Sequence, residues 1–502
     1  MRNHKEMRGS ITVFLALILS LLLSLVCTSI ESVRMASART QILNSMDIGL
    51  YSVFGQYDKK LLEDYDLFAL DGSMGGGQLN LAKICDNLES YMKPVLKQNS
   101  QKLSLEHSGL TGYRLLTDNN GEVFYQQIVQ YMQETLGSQG VQALLNRMSD
   151  REKKTEEANL KASQAETGGS IDRYDSEMNQ ASQKSQQAAE EAAKKQQQEN
   201  ASSDQQFGSG DTQTTQPAPA QQNPVNNPIT VIKRIMKMGV LELVLPSGCE
   251  VSTRTISKNT LVSGRQLQQG MEMPDGVTAD SSYTSGVLFQ QYLMNHLGNY
   301  MDSSKEGLAY QMEYIFAGKD EDMDNLKSVA SKLLFIREGV NFACLMADNV
   351  KRTEAQALAS AIAAGFLVPP AAVVIETALL LCWAFAESIL DLRELLDGGK
   401  VALFKTAESW QLSLEQLPKL LETGDQSRKN APGGMEYSDY LRLLLMQKSG
   451  KAVTFGAMDL VEYNMRTEQQ QPGFRLDCCV DELEAGFTAV IGKREYEITR
   501  NY

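Results

Sequence analysis

The 502-residue chain carries 62 acidic against 48 basic side chains, a net charge of −14, and 42% of its residues are hydrophobic. That length and apolar content allow two or three cored domains, while the acidity rules against a nucleic-acid partner because no basic stripe neutralises phosphates. Three histidines, His4, His107 and His296, and seven cysteines without metal-ligand spacing give no reason to expect a metal, a cofactor or a set of catalytic residues.

The chain opens with Arg2, Lys5 and Arg8, followed by an uncharged run of twenty residues, Ile11 to Ile30. As a helix this run covers about 30 Å, the thickness of the bilayer hydrocarbon. The positive-inside bias then places 1–10 in the cytoplasm as a basic leader, 11–30 across the membrane, and the bulk of the chain outside it. The expectation is a single-pass protein of the cell membrane whose first partner is the lipid bilayer. Ala36-Ser37-Ala38 has the small-x-small form of a signal cleavage site, but the hydrophobic run is too long and Glu31 and Arg34 intervene. Val26 ahead of Cys27 argues against a lipoprotein signal.

Arg8-Gly9-Ser10, the apolar span and the exit Glu31-Ser32-Val33-Arg34 resemble the N-terminus of minor pseudopilins of the tight-adherence (Tad) pilus system, the TadE and TadG type. The resemblance implies processing between Gly9 and Ser10, a membrane-exit pair made by Glu31 and Arg34, and partners among pilus or secretion-system proteins. Such prepilins place Glu at the fifth position after the processing Gly, and here that position is Phe14. Leader removal and a permanent anchor therefore both stay open, with the anchor favoured. The segments Tyr51 to Phe68, Glu313 to Lys319 and Ile336 to Phe342 are similar to an uncharacterised family of larger Gram-positive envelope proteins with no established activity.

Beyond the membrane, 31–148 reads as a stalk and a first α+β domain. Met35, Ile42, Met46, Leu50, Val53 and Phe54 recur at helical spacings, so the transmembrane helix is expected to continue to about Leu62. Its apolar face needs cover, from the chain's own first domain or from another subunit; in the second case Tyr51 and Phe54 form the partner face. Strands are expected at Asp66 to Leu70 and Lys102 to Leu116, and helices near Leu79 to Leu96 and Glu122 to Met148. The stretch 149–228 is rich in Gln, Ala, Ser, Glu and Asn and reads as a low-complexity disordered linker. A second α+β domain then covers 229–502. It is expected to hold a strand at Val240 to Leu245, helices from Leu288 to about Val350, and a buried helical hairpin at 355–396. Helices at Tyr437 to Gln447 and Phe455 to Tyr463 follow, then a β-hairpin of Gly486 to Ile491 with Arg494 to Thr499, paired with the Val240 strand. Glu376, Glu387, Asp391 and Glu394 fall in one sector of the second hairpin helix and predict a wet face. The fold class is α+β: one N-terminal transmembrane helix continuing as a stalk, helix-rich extracytoplasmic domains with small antiparallel sheets, and a long disordered linker.

Little in the sequence asks for chemistry. Gly72 to Gly77 lacks the Lys-Ser/Thr of a phosphate loop, and Asp320 to Asn325 lacks the Gly and distal Glu of a calcium loop and reads as a solvated turn. A disulfide from Cys85 or Cys249 is open to a chain outside the cell. The functional expectation is a non-enzymatic accessory or scaffold component of a Tad-like pilus or secretion apparatus. The alternatives are a membrane-anchored surface hydrolase using paired carboxylates and an extracellular binding module unrelated to pili.

Overall fold

A computed structural model of the chain describes residues 7–97, 103–164, 173–176, scattered positions between 179 and 194, and 227–502 apart from 247, 272, 274–281, 306, 367–370, 423–432 and 492–493. The fold is α+β, mostly helical with one four-stranded antiparallel sheet. Two compact units are interleaved along the chain: residues 1–137, 257–296 and 450–502 form the first, and 138–256 with 297–449 the second. The contiguous division expected at 149–228 is therefore not the one the fold uses.

In the first unit, helix α1 (Met7–Phe54) runs unbroken for 48 residues, roughly 70 Å at the helical rise. Three hydroxyls of its apolar half are taken up by the helix backbone: Ser20 Oγ donates to the Leu17 carbonyl, and Thr28 and Ser29 donate to that of Leu25, each at 2.9 Å. The second half buries Ala38, Ile42, Met46, Leu50, Val53 and Phe54 against helix α3 (Leu81–Lys97) and the sheet. A Cβ on Gly49 would meet Met92 and Leu88 at 2.8 and 2.9 Å, so the glycine sets how closely α1 and α3 approach. The helix stops at Phe54, short of Leu62, because Asp58 accepts the Lys60 and Leu61 N–H groups and starts a separate helix, α2 (Lys59–Tyr65). Asp66, in the left-handed conformation at φ 51°, ends α2. The strand expected at Asp66 to Leu70 is accordingly reduced to β1 (Leu70–Asp71).

Strand β2 (Leu103–Leu115) lies antiparallel to β3 (Cys479–Ile491) with Leu103 opposite Ile491 and Leu115 opposite Val480. On the other side of β3 sit β1 and β4 (Arg494–Asn501). The C-terminal strand pair thus forms as expected, but β2 is its neighbour. Val240 to Leu245 is not a strand: Val240–Val244 is a short helix that buries Leu243 and Val244. A short run with five apolar residues out of six satisfies a helix and a strand equally well, and the periodicity of Val-Leu-Glu-Leu-Val-Leu does not decide between them. Helix α4 (Asp118–Gln164) begins with three left-handed residues, Asn119, Asn120 and Gly121, and breaks at Gly137 (φ 62°), where the chain leaves the first unit. Tyr283–His296 and Gly450–Thr467 supply two further helices of this unit.

The second unit is built from helices. Short helices α5 (Pro228–Ile235) and α6 (Val240–Val244) rest on the long core helix Ala372–Leu396. Taking the helices Tyr283–His296 and Gln311–Ala317 as α7 and α8, the core helices are α9 (Asp322–Ala347), α10 (Asn349–Gly365) and α11 (Ala372–Leu396), each packed on the other two. Helix α11 is apolar enough to cross a membrane, yet 78% of its most hydropathic window is buried in protein, as a core helix requires. It ends at Gly398, φ 81°. The four acids of α11 do not make a wet face. Glu387 and Asp391 are fully buried, Glu376 faces Arg352 at 3.6 Å, and Glu394 accepts from Gln411 Nε2 at 2.7 Å. The stretch assigned to the linker is folded in part, since α4 runs to Gln164, Arg151 pairs with Asp439, and buried Tyr174 Oη accepts from Asn227 Nδ2 at 2.9 Å. Most of 165–226 lies outside the described residues, as do Arg2, Lys5, Pro369-Pro370 and Gly492-Lys493.

Candidate functional site at the anchor helix

From Ile11 to Arg34 every residue of α1 is exposed, including Leu21 and Val33, each at 70%. Such a length of uncovered apolar side chain is stable only in a non-aqueous medium, and this segment is a candidate membrane span. Gly9 and Ser10 lie within the first turns of α1, and Glu31 and Arg34 are exposed at the end of its apolar run. Cover begins at Ala38 and is continuous on one face down to Phe54. The stalk's apolar face is therefore taken by the chain's own first unit. Phe54 is 1% exposed and its ring stacks 6.3 Å from Phe68, so it belongs to the core and not to a partner face. Tyr51, one turn earlier on the same side of the helix, is 63% exposed, and the ring of Tyr502 lies against both residues, edge-on at 4.9 Å to Tyr51 and 4.5 Å from Phe54. The two aromatic residues that sequence spacing joined thus share Tyr502 as a neighbour but differ in burial.

The molecule also holds buried polar centres that sequence reading missed. In the second unit, Arg337 of α9 donates from Nε and Nη2 to Asp391 Oδ2 at 3.0 and 2.8 Å, and Asn341 Nδ2 donates to the same oxygen at 2.9 Å. Lys405, almost fully buried, contacts Glu387 Oε1 and lies 2.6 Å from Asp391 Oδ1. Two cations and two anions balance in a space largely removed from water. Burial pushes Asp391 up, but Arg337 and Lys405 outweigh it and hold the carboxyl below its ordinary range; for Glu387 burial prevails over Lys405 and the carboxyl is raised. A signal was present: Arg337 with Asn341, and Glu387 with Asp391, are polar pairs four residues apart in otherwise apolar helices, which is where partners across a helix interface are needed.

A second centre surrounds Glu313 of α8. Its Oε1 accepts from Tyr437 Oη at 2.7 Å and from the Tyr300 N–H at 2.9 Å, while Oε2 is buried without a hydrogen-bond partner. Burial raises this carboxyl to about 7. Asp322, read from the sequence as part of a solvated turn, is instead buried and accepts from Ser252 Oγ and the Ala309 and Tyr310 N–H groups at 2.7 to 3.1 Å. In the first unit, Arg265 bridges the buried Glu462 and Asp477, and His296 Nε2 sits 3.0 Å from Asp66. Among the described residues no three metal-ligating side chains converge. Cys85 and Cys249 are free thiols, as are the adjacent Cys478 and Cys479.

No curated protein and no solved structure matches the chain. Residues 218–491, more than half of the sequence, match a family of unknown function, DUF5702, and span both of the polar centres of the second unit together with β3. The chain belongs to that family.

Proposed function

We propose that this chain is a non-enzymatic, single-pass envelope protein. Its N-terminus lies in the cytoplasm, both folded units lie outside the membrane, and it serves as an accessory or scaffold component of a Tad-like pilus or secretion apparatus. The observation that carries the reading is α1, whose first half is bare and apolar while its second half is the core of a folded unit. An unbroken helix passes position and load from bilayer to outer domain without a hinge, which suits a component that holds other subunits at the membrane surface. The exposed side of the stalk, with Ile48 and Tyr51, is the face it offers to them. Two buried carboxylate pairs, Glu387 with Asp391 and Glu462 with Asp477, have internal cations in contact, which favours a structural role for them over hydrolysis. The test is crosslinking in intact cells followed by capture of the full-length protein from detergent-solubilised membranes. Co-purification of pilus or secretion-system subunits is expected, and their absence from crosslinks that contain other envelope proteins would remove the pilus assignment.

A further inference from the structure

We propose that Lys405 and Glu387 condense to an intramolecular amide, a covalent staple between α11 and the segment that follows it. Three features of the buried charge centre point there. Lys405 Nζ touches Glu387 Oε1, and both side chains are almost wholly removed from water, so the amine has no competing solvent nucleophile and the carboxyl no hydration to lose. The two oxygens of Glu387 are held by backbone N–H donors, Oε1 by Gln411 at 2.8 Å and Oε2 by Leu412 at 2.9 Å, which fixes the carbonyl carbon in front of the amine. Asp391 Oδ1 lies 2.6 Å from the same Nζ but accepts no aligned hydrogen bond, which leaves a base in contact with the ammonium.

The atoms balance without an oxidant or cofactor. Asp391 Oδ1 takes one proton from the Lys405 ammonium, and the freed lone pair attacks Glu387 Cδ to form the C–N bond. The Leu412 N–H holds the oxygen that stays, and Oε1 departs as water carrying the two protons that nitrogen gives up. An ammonium and a carboxylate become an amide and one water. A cavity of about 190 Å³ lined by Asp391, Lys405 and Gln411 gives the water a way out. The product keeps the charges balanced: those that remain, Arg337 and Asp391, are already a direct pair braced by Asn341, and the new N–H faces Asp391 Oδ1, while the Gln411 N–H gives up the acceptor that leaves as water. The upward shift of Glu387, which burial drives toward the neutral acid, suits its role as electrophile, while Asp391 is assigned its role by contact alone. Joining Asp391 to Lys405 instead would strand Arg337 without its carboxylate.

The measurement is peptide mapping of the full-length protein, extracted from membranes, denatured and digested with trypsin. The expected species joins Thr353–Arg393 to Val401–Lys419, uncut after Lys405, lighter than the sum of the two peptides by one water, with fragmentation placing the bond at Glu387. Lys405→Arg serves as control and should return three separate peptides, 353–393, 401–405 and 406–419. Wild-type protein that yields Thr353–Arg393 at its unmodified mass, with the chain cut after Lys405, overturns the proposal, as does a bond mapped to Asp391.

Discussion

Glu313 shows how one buried side chain ties stability to pH. It is enclosed by Tyr300, Tyr310 and Tyr437, with Asp322 as the nearest like charge and no cation among its hydrogen-bond partners. Burial raises its carboxyl from an ordinary 4.5 to about 7, so the folded state holds the proton more tightly than the unfolded chain does. The contribution is complete below the unfolded value and is lost as pH rises through about 7, an effect on the order of 3 kcal/mol across that window. Glu338, also raised to about 7 by burial, acts in the same direction. The lowered carboxyls Asp391 and Asp477 lose their stabilisation only below their ordinary range, outside this window. Thermal unfolding of the wild type should therefore give a higher Tm at pH 5 than at pH 8. Glu313→Gln should narrow that difference. An unchanged difference in the variant would show that Glu313 stays ionised in the folded protein.

At the scale of elements, the stalk half of α1 gives a direct comparison of two faces of one helix. Met46 is fully buried against α3 and the sheet, and Met46→Ala removes its side chain from a filled core at a cost of about 2–5 kcal/mol. Tyr51 keeps only an edge contact with Tyr502, so Tyr51→Ala should cost no more than about 1.5 kcal/mol. Denaturant unfolding of the detergent-solubilised protein checks both, and equal losses would mean that α1 is rotated relative to its seat. The period of Ile42, Met46, Leu50 and Val53 made this face legible in the sequence, as hydrophobic runs did for β2, the 355–396 hairpin and the β3–β4 pair. What escaped was decided by distant partners. Leu115 and Val480 are adjacent in the sheet although more than half the chain separates them, and no local pattern announces such a pairing. Glu387 and Asp391 read as solvent-facing because their cations, Arg337 and Lys405, come from other segments.

For the whole molecule the decisive quantity is which side of the membrane each part occupies and whether the leader stays on. On the proposed orientation, with Arg2, Lys5 and Arg8 on the cytoplasmic side of the only bare apolar helix among the described residues, protease added to intact protoplasts should digest the chain beyond about Arg39. The hairpin containing α11 should be cut along with the rest, since its apolar surface is covered by protein and not by lipid. Protection of Ala355 to Leu396 alone would turn that hairpin into a second membrane element. The leader poses the sharper alternative. Phe14 in place of a carboxylate removes the group that would pair with a newly exposed amine at Ser10, and α1 is committed from Ala38 onward to its own unit, so a permanent anchor is expected. Mass spectrometry of the membrane-extracted chain should then find the leader intact, with no change in Gly9→Val, and the protein should remain with the cells when surface filaments are sheared away. A chain beginning at Ser10 in the sheared fraction, abolished by Gly9→Val, would instead make α1 the core of a filament subunit, with its bare half packed against other copies after leaving the bilayer.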